Sequence, residues 1–250
     1  MTVSIKVLGS SSSGNCGLLI CSGHYYLIDA GFSGKKIKEK LMVYGLIPED
    51  LDGIFLTHEH HDHCCGLKVL CKYKNIQLYA NYRTAKAIEK RYQLKGQWSI
   101  FESNKPFYVH GLEVLGFRTS HDAIEPVGFL FNTGNQCCCW ATDIGCITSE
   151  LANILIKADN LILEANHDLD LLWRHPTRPQ YLKERIASDT GHLSNGAAFQ
   201  FVKNSSHHLK SLCLAHISKD CNSTEIVRRL FQPLAMEQHF DLEIVDPILE

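Results

Sequence analysis

His58, His60, Asp62 and His63 fall within six residues, in the segment Thr57-His58-Glu59-His60-His61-Asp62-His63, directly after the apolar run Leu51 to Thr57. A buried strand ending in such a cluster points to a metal-binding turn, because neutral imidazole and carboxylate are ligands for zinc, manganese or iron. A solitary histidine is ordinarily a core or surface residue, but this density and spacing is not incidental. His58 and His60, two apart on an extended turn, can face one ion. Asp62 and His63 then enter a helix and can face a second.

The rest of the chain supplies an ordinary globular setting. With 250 residues, 45% of them hydrophobic and 21% charged, it can bury a large core without a disulfide or metal to hold it together. Disordered and fibrous classes are excluded. The formal net charge of -2 gives no bulk nucleic-acid footprint, which leaves room only for a local basic patch. The 11 cysteines are odd in number, include the runs Cys64-Cys65 and Cys137-Cys138-Cys139, and contain no C-x-x-C pair. They read as free thiols packed in a reducing compartment, with soft ligation at 137–139 as the lesser alternative. The sequence Met1-Thr-Val-Ser-Ile-Lys is no signal peptide, and no apolar run is long enough to span a membrane, so a cytoplasmic protein is expected.

Strands are expected at Val3 to Leu8, Leu18 to Cys21, Tyr25 to Ile28, Leu51 to Thr57, Ile76 to Tyr79, Phe107 to Val109, Leu112 to Arg118, Val127 to Asn132, Cys137 to Ala141, Asn160 to Glu164, Ser211 to Leu214 and Leu242 to Val245. Helices are expected near Lys35 to Tyr44, Leu67 to Tyr73, Thr84 to Tyr92, Ser149 to Ile156, Asn195 to Lys203 and Thr224 to Leu234, with Gly9 to Asn15 a small-residue loop. Strands and helices recur in both halves without a linker, so residues 1–250 are read as one domain of two related halves.

His58-x-His60-x-Asp62-His63 resembles the H-x-H-x-D-H signature of the metallo-β-lactamase fold superfamily, and the remaining landmarks follow in order. Asp29 ends a strand, His121 lies in Thr119-Ser-His-Asp-Ala123, Asp143 follows Trp140-Ala-Thr142, and His216 follows Leu214-Ala215. Within that superfamily the sequence is most similar to the YycJ/WalJ group of metal-dependent exonucleases. The matching stretches are Gly9 to Asn15, Leu27-Ile-Asp-Ala-Gly31, Pro126-Val-Gly128, Leu163-Glu-Ala-Asn-His-Asp168, Ser188 to Asn195 and Leu214 to Lys219. His61 and Ile144 depart from the group's usual pattern, placing an extra imidazole beside the metals and altering the surroundings of Asp143.

The resemblance implies an α/β fold, an αββα sandwich, with two divalent ions, zinc or manganese and conceivably iron. His58, His60 and His121 would hold one ion, Asp62, His63 and His216 the other, and Asp143 would bridge them. Asp29 would support the ligand loop by hydrogen bonds. Two ions about 3.5–4 Å apart make a bridging hydroxide near neutral pH and stabilise a pentavalent phosphorane. In related tRNA 3′-processing enzymes the matching Glu and His form a pair that protonates the leaving alkoxide. Glu164 and His192 are thus catalytic candidates with Asp62, the lesser alternative being that His192 merely caps the helix it opens and Glu164 is a surface carboxylate.

The leading expectation is a dinuclear phosphodiesterase, a 5′-to-3′ exonuclease acting on DNA ends. The alternatives are hydrolysis of a small thioester, lactone or cyclic phosphodiester, an RNA-processing phosphodiesterase, or a non-catalytic metal-stabilised binding protein. Against the last stands the full ligand set. The Gly9–Asn15 loop could approach a phosphate, and Arg174, His175, Arg178, Lys183 and Arg185 could track a nucleic-acid backbone, though both features also read as plain turn and solvated surface. Lys35, Lys36, Lys38 and Lys40 read as helix surface. His24, His110, His175, His207, His208 and His239 have no ligand spacing and read mostly as solvated. Only 48 residues separate Asp143 from His192, too few for the inserted domain of the β-CASP nucleases.

Overall fold

Side-chain alternation along the strands sorts them into two sheets with a dry layer between them. A computed structural model describes residues 2–11, 13–205 and 208–247, so Ser12 and His207 lie outside the described residues. The first sheet runs in chain order through β1 (Val3–Ser11), β2 (Gly14–Cys21), β3 (His24–Ile28), β4 (Gly53–Phe55), β5 (Gln77–Asn81) and β6 (Trp98–Phe101). Its pairings are antiparallel from β1 to β3 and parallel from β3 to β6. Helices α1 (Gly34–Met42), α2 (His61–Cys64), α3 (Leu67–Leu70) and α4 (Tyr82–Tyr92) lie between its strands in sequence.

The second sheet contains β7 (Pro106–Val109), β8 (Leu112–Arg118), β9 (Val127–Asn132), β10 (Cys137–Ala141), β11 (Asn160–Glu164), β12 (Ser211–Ala215) and β13 (Asp241–Ile244), again in sequence order. It too starts antiparallel, from β7 to β10, and continues parallel to β13. Its helices are α5 (Ser149–Leu155), α6 (Leu169–Arg174), α7 (Gln180–Ile186), α8 (Asn195–Ser205) and α9 (Thr224–Gln238). The two halves therefore repeat one plan, and each carries its loops of interest at the C-terminal ends of its strands.

Three buried clusters define the layers. Leu19, Tyr26, Ile28, Phe55, Phe129, Phe131, Trp140 and Ile162 pack between the sheets. Leu18, Leu27, Ile54 and Leu78 face outward against Ile37, Leu41, Leu67 and Ile88 of the first set of helices. Cys139, Ala141, Leu161 and Leu163 face outward against Leu151, Ala198, Val227 and Phe231 of the second. This is the αββα sandwich. The period-two geometry of β10 also explains the cysteine run, since Cys138 and Trp140 point between the sheets while Cys139 and Ala141 point to the helices. All 11 cysteines are free thiols.

Several sequence expectations need correction. Gly9 to Asn15 is no open loop, because β1 and β2 extend into it, pairing Ser10 with Asn15 and Ser11 with Gly14 after a register shift between Val7 and Gly9. The edge strand β6 escaped the sequence because Ser99 and Ile100 are both exposed, which erases the alternation. Helix α9 runs past Pro233 to Gln238, four residues beyond the expected end at Leu234. No helix among the described residues is long and apolar enough to cross a membrane.

Trp140 is fully buried at the centre of the inter-sheet layer, with its ring against the Cα of Gly17. Trp140→Ala is expected to cost about 3–5 kcal/mol, read as a fall in the denaturation midpoint with an unchanged slope.

Candidate metal centre

The C-terminal ends of β3, β10 and β12 converge where the two halves meet, and each ends in a residue with left-handed backbone. Asp29, Asp143 and His216 have φ of 61°, 57° and 55°. Such conformations cost of order 1–3 kcal/mol each for a non-glycine residue and persist only where the surroundings fix them. Here they turn three strand ends sharply enough to aim their side chains into one buried space.

The Thr57–His63 segment enters that space from β4. Asp29 holds it, accepting from the Thr57 backbone N–H at 2.9 Å and the Thr57 hydroxyl at 2.8 Å, and pairing with His63 Nδ1 at 2.7 Å. Placing the His63 proton on Nδ1 leaves Nε2 free to face the centre, the supporting role expected of Asp29. Gly31 is required here: a Cβ at that position would fall 1.7 Å from the Asp62 carbonyl oxygen. His121 donates from Nδ1 to the Gly191 carbonyl at 3.0 Å, which likewise frees its Nε2. His61 does not sit beside the cluster; it is exposed and meets the Tyr92 hydroxyl at 3.2 Å.

Donor atoms of His58, His60 and His121 lie within 4.8 Å of one another, as do those of Asp62, His63 and His216. Asp143 stands between the two groups. One of its oxygens is 3.3 Å from His63 Nε2, and the other is 3.6 Å from His121 Nε2 and 3.7 Å from His216 Nε2. Two ligands on one tetrahedral ion at 2.0–2.1 Å are about 3.3 Å apart, so these separations are close to the edges of a coordination shell. His58 Nε2, His216 Nε2 and Asp143 Oδ2 are buried without a hydrogen-bond partner. An unpartnered buried polar atom costs about 1–3 kcal/mol, and a divalent cation is the partner that suits all three.

Electrostatics agree. Burial and the neighbouring imidazoles hold His58 and His60 well down, in the neutral form that ligates. Burial alone would also lower His63 and His216, but the adjacent carboxylates prevail. Asp143, Asp29 and Asp62 raise His63 well above its usual range, and Asp143 with Glu164 carries His216 to about 9.

Glu164, fully buried at the end of β11, is no surface carboxylate. Its Oε1 takes both His192 Nδ1 and His216 Nδ1 at 2.8 Å. Its Oε2 accepts the backbone N–H groups of Ile144 and Leu193 at 2.7 and 3.3 Å. Burial would push this carboxyl up, but the His192 and His216 rings hold it below the usual range. His192 is half-buried, with Nδ1 3.8 Å from Asp143 Oδ1. It does not open α8 as expected, since Ser194 caps that helix by accepting from Ala197 N–H at 3.2 Å. His192 instead stands at the junction of a cavity of about 620 Å³, lined by Thr148, His167, Ser194 and Phe201, and one of about 240 Å³, lined by Arg178, Arg185, Asn166 and Ser218.

Three site residues had no sequence signal of their own. Asn15 Nδ2 lies 3.1 Å from His63 Nε2, and Ser10 accepts the His216 N–H at 3.0 Å while donating to Asn15 at 2.8 Å. The β1–β2 hairpin thus props the cluster, in a stretch read from sequence as a turn or a phosphate-approaching loop and not as a support for ligands. His167 is buried with neither ring nitrogen partnered, and burial lowers it to about 4. The basic segment is also less free than expected. Lys183 is buried and donates to the Trp173 carbonyl at 2.8 Å, Arg178 pairs with Asp220, and Arg185 pairs with Asp122.

Residues 24–217 match the beta-lactamase superfamily domain. The chain is 38% identical over 226 residues to exodeoxyribonuclease WalJ of Streptococcus pneumoniae, covering 88% of this chain and 84% of that one. It is 33% identical over 246 residues to exodeoxyribonuclease YycJ of Bacillus anthracis, covering 96% and 92%. The metallo-beta-lactamase fold protein YhfI of Bacillus subtilis superposes with a TM-score of 0.74 at 17% identity, covering 97% of this chain and 96% of that one.

The carboxylates around His63 and His216 favour their protonated forms, so metal uptake near neutral pH is expected to displace protons from these rings. Titrating zinc or manganese into chelator-stripped protein in weak buffer with a pH indicator is expected to release protons. Apparent affinity is expected to fall about tenfold per pH unit for each proton displaced as the pH drops below the His216 value.

Proposed function

Since the chain belongs to the metallo-β-lactamase superfamily and is a metal-dependent hydrolase with exodeoxyribonuclease relatives, we propose that it is a dinuclear exonuclease that degrades DNA from 5′ ends. His58, His60 and His121 would hold one divalent ion and Asp62, His63 and His216 the other, with Asp143 between the two groups. Zinc or manganese there supplies Lewis acidity and a lowered water pKa for attack on phosphorus. The single observation that carries the phosphodiester reading is the Glu164–His192 contact beside Asp143.

An alkoxide leaves a phosphodiester poorly unless it is protonated, whereas a thioester releases a thiolate and makes no such demand. Glu164 fixes the His192 ring through Nδ1, so Nε2 is the atom that delivers a proton to the departing oxygen. Asp62, with an oxygen 3.5 Å from His63 Nε2, would serve on the metal side of the site, opposite the proton donor. The two cavities flanking His192 suit the two sides of a scissile phosphate. The smaller is bordered by Arg178 and Arg185, whose guanidinium groups are already oriented by Asp220 and Asp122 and can meet a phosphate. Exposed Arg174, Trp173 and Tyr181 on α6 and α7 offer charge and aromatic surface beyond it.

His192→Ala is expected to leave two metals per chain in place and to slow cleavage of end-labelled DNA about 10²–10⁴-fold. Hydrolysis of bis-p-nitrophenyl phosphate, whose leaving group needs little protonation, is expected to be largely spared. Equal losses on both substrates, or loss of metal, would remove the acid role. Degradation of labelled single- and double-stranded DNA and RNA, with either end blocked, decides substrate and polarity; activity confined to RNA or to small esters would overturn the proposal.

A further inference from the structure

A second cluster of metal-binding groups lies at the opposite end of the strands. His24 begins β3, whereas Asp29 follows its last residue, so about 16 Å of strand separates the cluster from the catalytic centre. Asp52 immediately precedes β4 in the same sheet, and His110 occupies the turn between β7 and β8 of the other. A nitrogen from each ring and an oxygen of Asp52 lie within 4.8 Å of one another. These are the chemical types that hold zinc, cobalt or nickel, and they come from three separate segments on two sheets.

The group is built rather than incidental. His24 Nδ1 is 3.2 Å from Asp52 Oδ1, near the ~3.3 Å edge of a tetrahedral zinc site. The other Asp52 oxygen is pinned by the Tyr25 backbone N–H at 2.9 Å, which fixes the carboxylate plane and leaves Oδ1 directed at the histidine. The His24 and His110 rings stack with centroids 4.0 Å apart and planes 19° from parallel, so the exposed His110 ring must tilt out of the stack for both in-plane lone pairs to meet one ion. His110 is held from behind by the buried Tyr26, whose hydroxyl meets its Nδ1 at 2.5 Å. That contact commits one ring nitrogen and leaves Nε2 for a ligand, as outer hydrogen bonds do for metal-bound histidines. His110 and Gly111 have φ of 47° and 81°, and Ser22 and Gly23 have φ of 50° and 86°, so tight turns of the left-handed kind present both histidines.

We propose that His24, Asp52 and His110 form a separate divalent transition-metal site that clips the two sheets together at the end remote from catalysis. On binding, His24 gives up the Nδ1 proton that bridges to Asp52 and takes one up from solvent at Nε2, so the ring stays neutral and the ion takes the proton's place between the two donors. Three protein ligands leave a further position for water, because His110 is exposed and His24 and Asp52 are partly so. The consequence is mechanical: the first sheet carries His58–His63, the second carries His121, Asp143 and His216, and an ion at the far end ties one sheet to the other.

Zinc titrated into chelator-stripped protein, with bound metal counted after gel filtration, tests this. The wild type is expected to retain one ion more per chain than the double variant His24→Gln, His110→Asn, in which asparagine tolerates the left-handed turn. That variant is expected to keep its hydrolysis of bis-p-nitrophenyl phosphate and to lose the part of the zinc-induced rise in Tm that the extra ion confers. Tyr26→Phe, which keeps every ligand but removes the supporting hydroxyl, is expected to weaken the extra ion about 10–100-fold. Equal zinc counts in the wild type and the double variant would overturn the proposal. So would an extra ion held no more tightly than by free imidazole.

Discussion

Three carboxylates, those of Asp29, Asp143 and Glu164, are buried at the junction of the sheets, and His58, His63 and His216 are buried with them. Removing charge from water on this scale is costly unless each charge finds a partner. The hydrogen-bond pattern sorts them into two kinds. Asp29 and Glu164 are saturated by backbone N–H groups and imidazole Nδ1 atoms, whereas Asp143 Oδ2 and the outward nitrogens of His58 and His216 are not. A cation completes the balance, and the surrounding chain is arranged to hold the charges until it does.

The architecture follows from that requirement. Each half switches from antiparallel to parallel pairing, so that consecutive strands deliver their C-terminal ends to the same edge. The two edges then meet across the layer formed by Phe55, Phe129 and Trp140. Glycine appears where backbones must nearly touch behind the ligands. A Cβ on Gly31 would strike Asp62, one on Gly145 would lie 2.1 Å from the Asp189 carbonyl oxygen, and one on Gly191 would lie 2.2 Å from that of Arg185. These close approaches leave the ligand loops little room to move, which favours a preformed metal centre over one that assembles on binding.

Much of this was legible in the sequence. His58-x-His60-x-Asp62-His63 is a local pattern, and Asp143, Glu164 and His216 each follow or end a strand whose apolar run is unmistakable. The strands Leu112 to Arg118, Val127 to Asn132, Cys137 to Ala141 and Asn160 to Glu164 appear with the expected bounds. Features created only by tertiary contact were not legible. Ser10 and Asn15 look like turn residues until the hairpin is folded over His63 and His216. Lys183 looks solvated until α7 buries it against the Trp173 carbonyl. His24 and His110 are far apart in the chain, and nothing local connects them.

Glu164 Oε1 is shared by His192 and His216. On the proposed assignment one oxygen would set both the basicity of a metal ligand and the orientation of a proton donor. On the proposed mechanism, a His192 that has given up its proton would draw the carboxylate less, leaving it closer to His216 and making that ring a stronger ligand. Conversely, a cation held by His216 would act through the same oxygen on how readily His192 parts with its proton. In that reading the leaving side and the attacking side of the reaction would be in electrical communication through a single atom, so a substitution of Glu164 would change both at once.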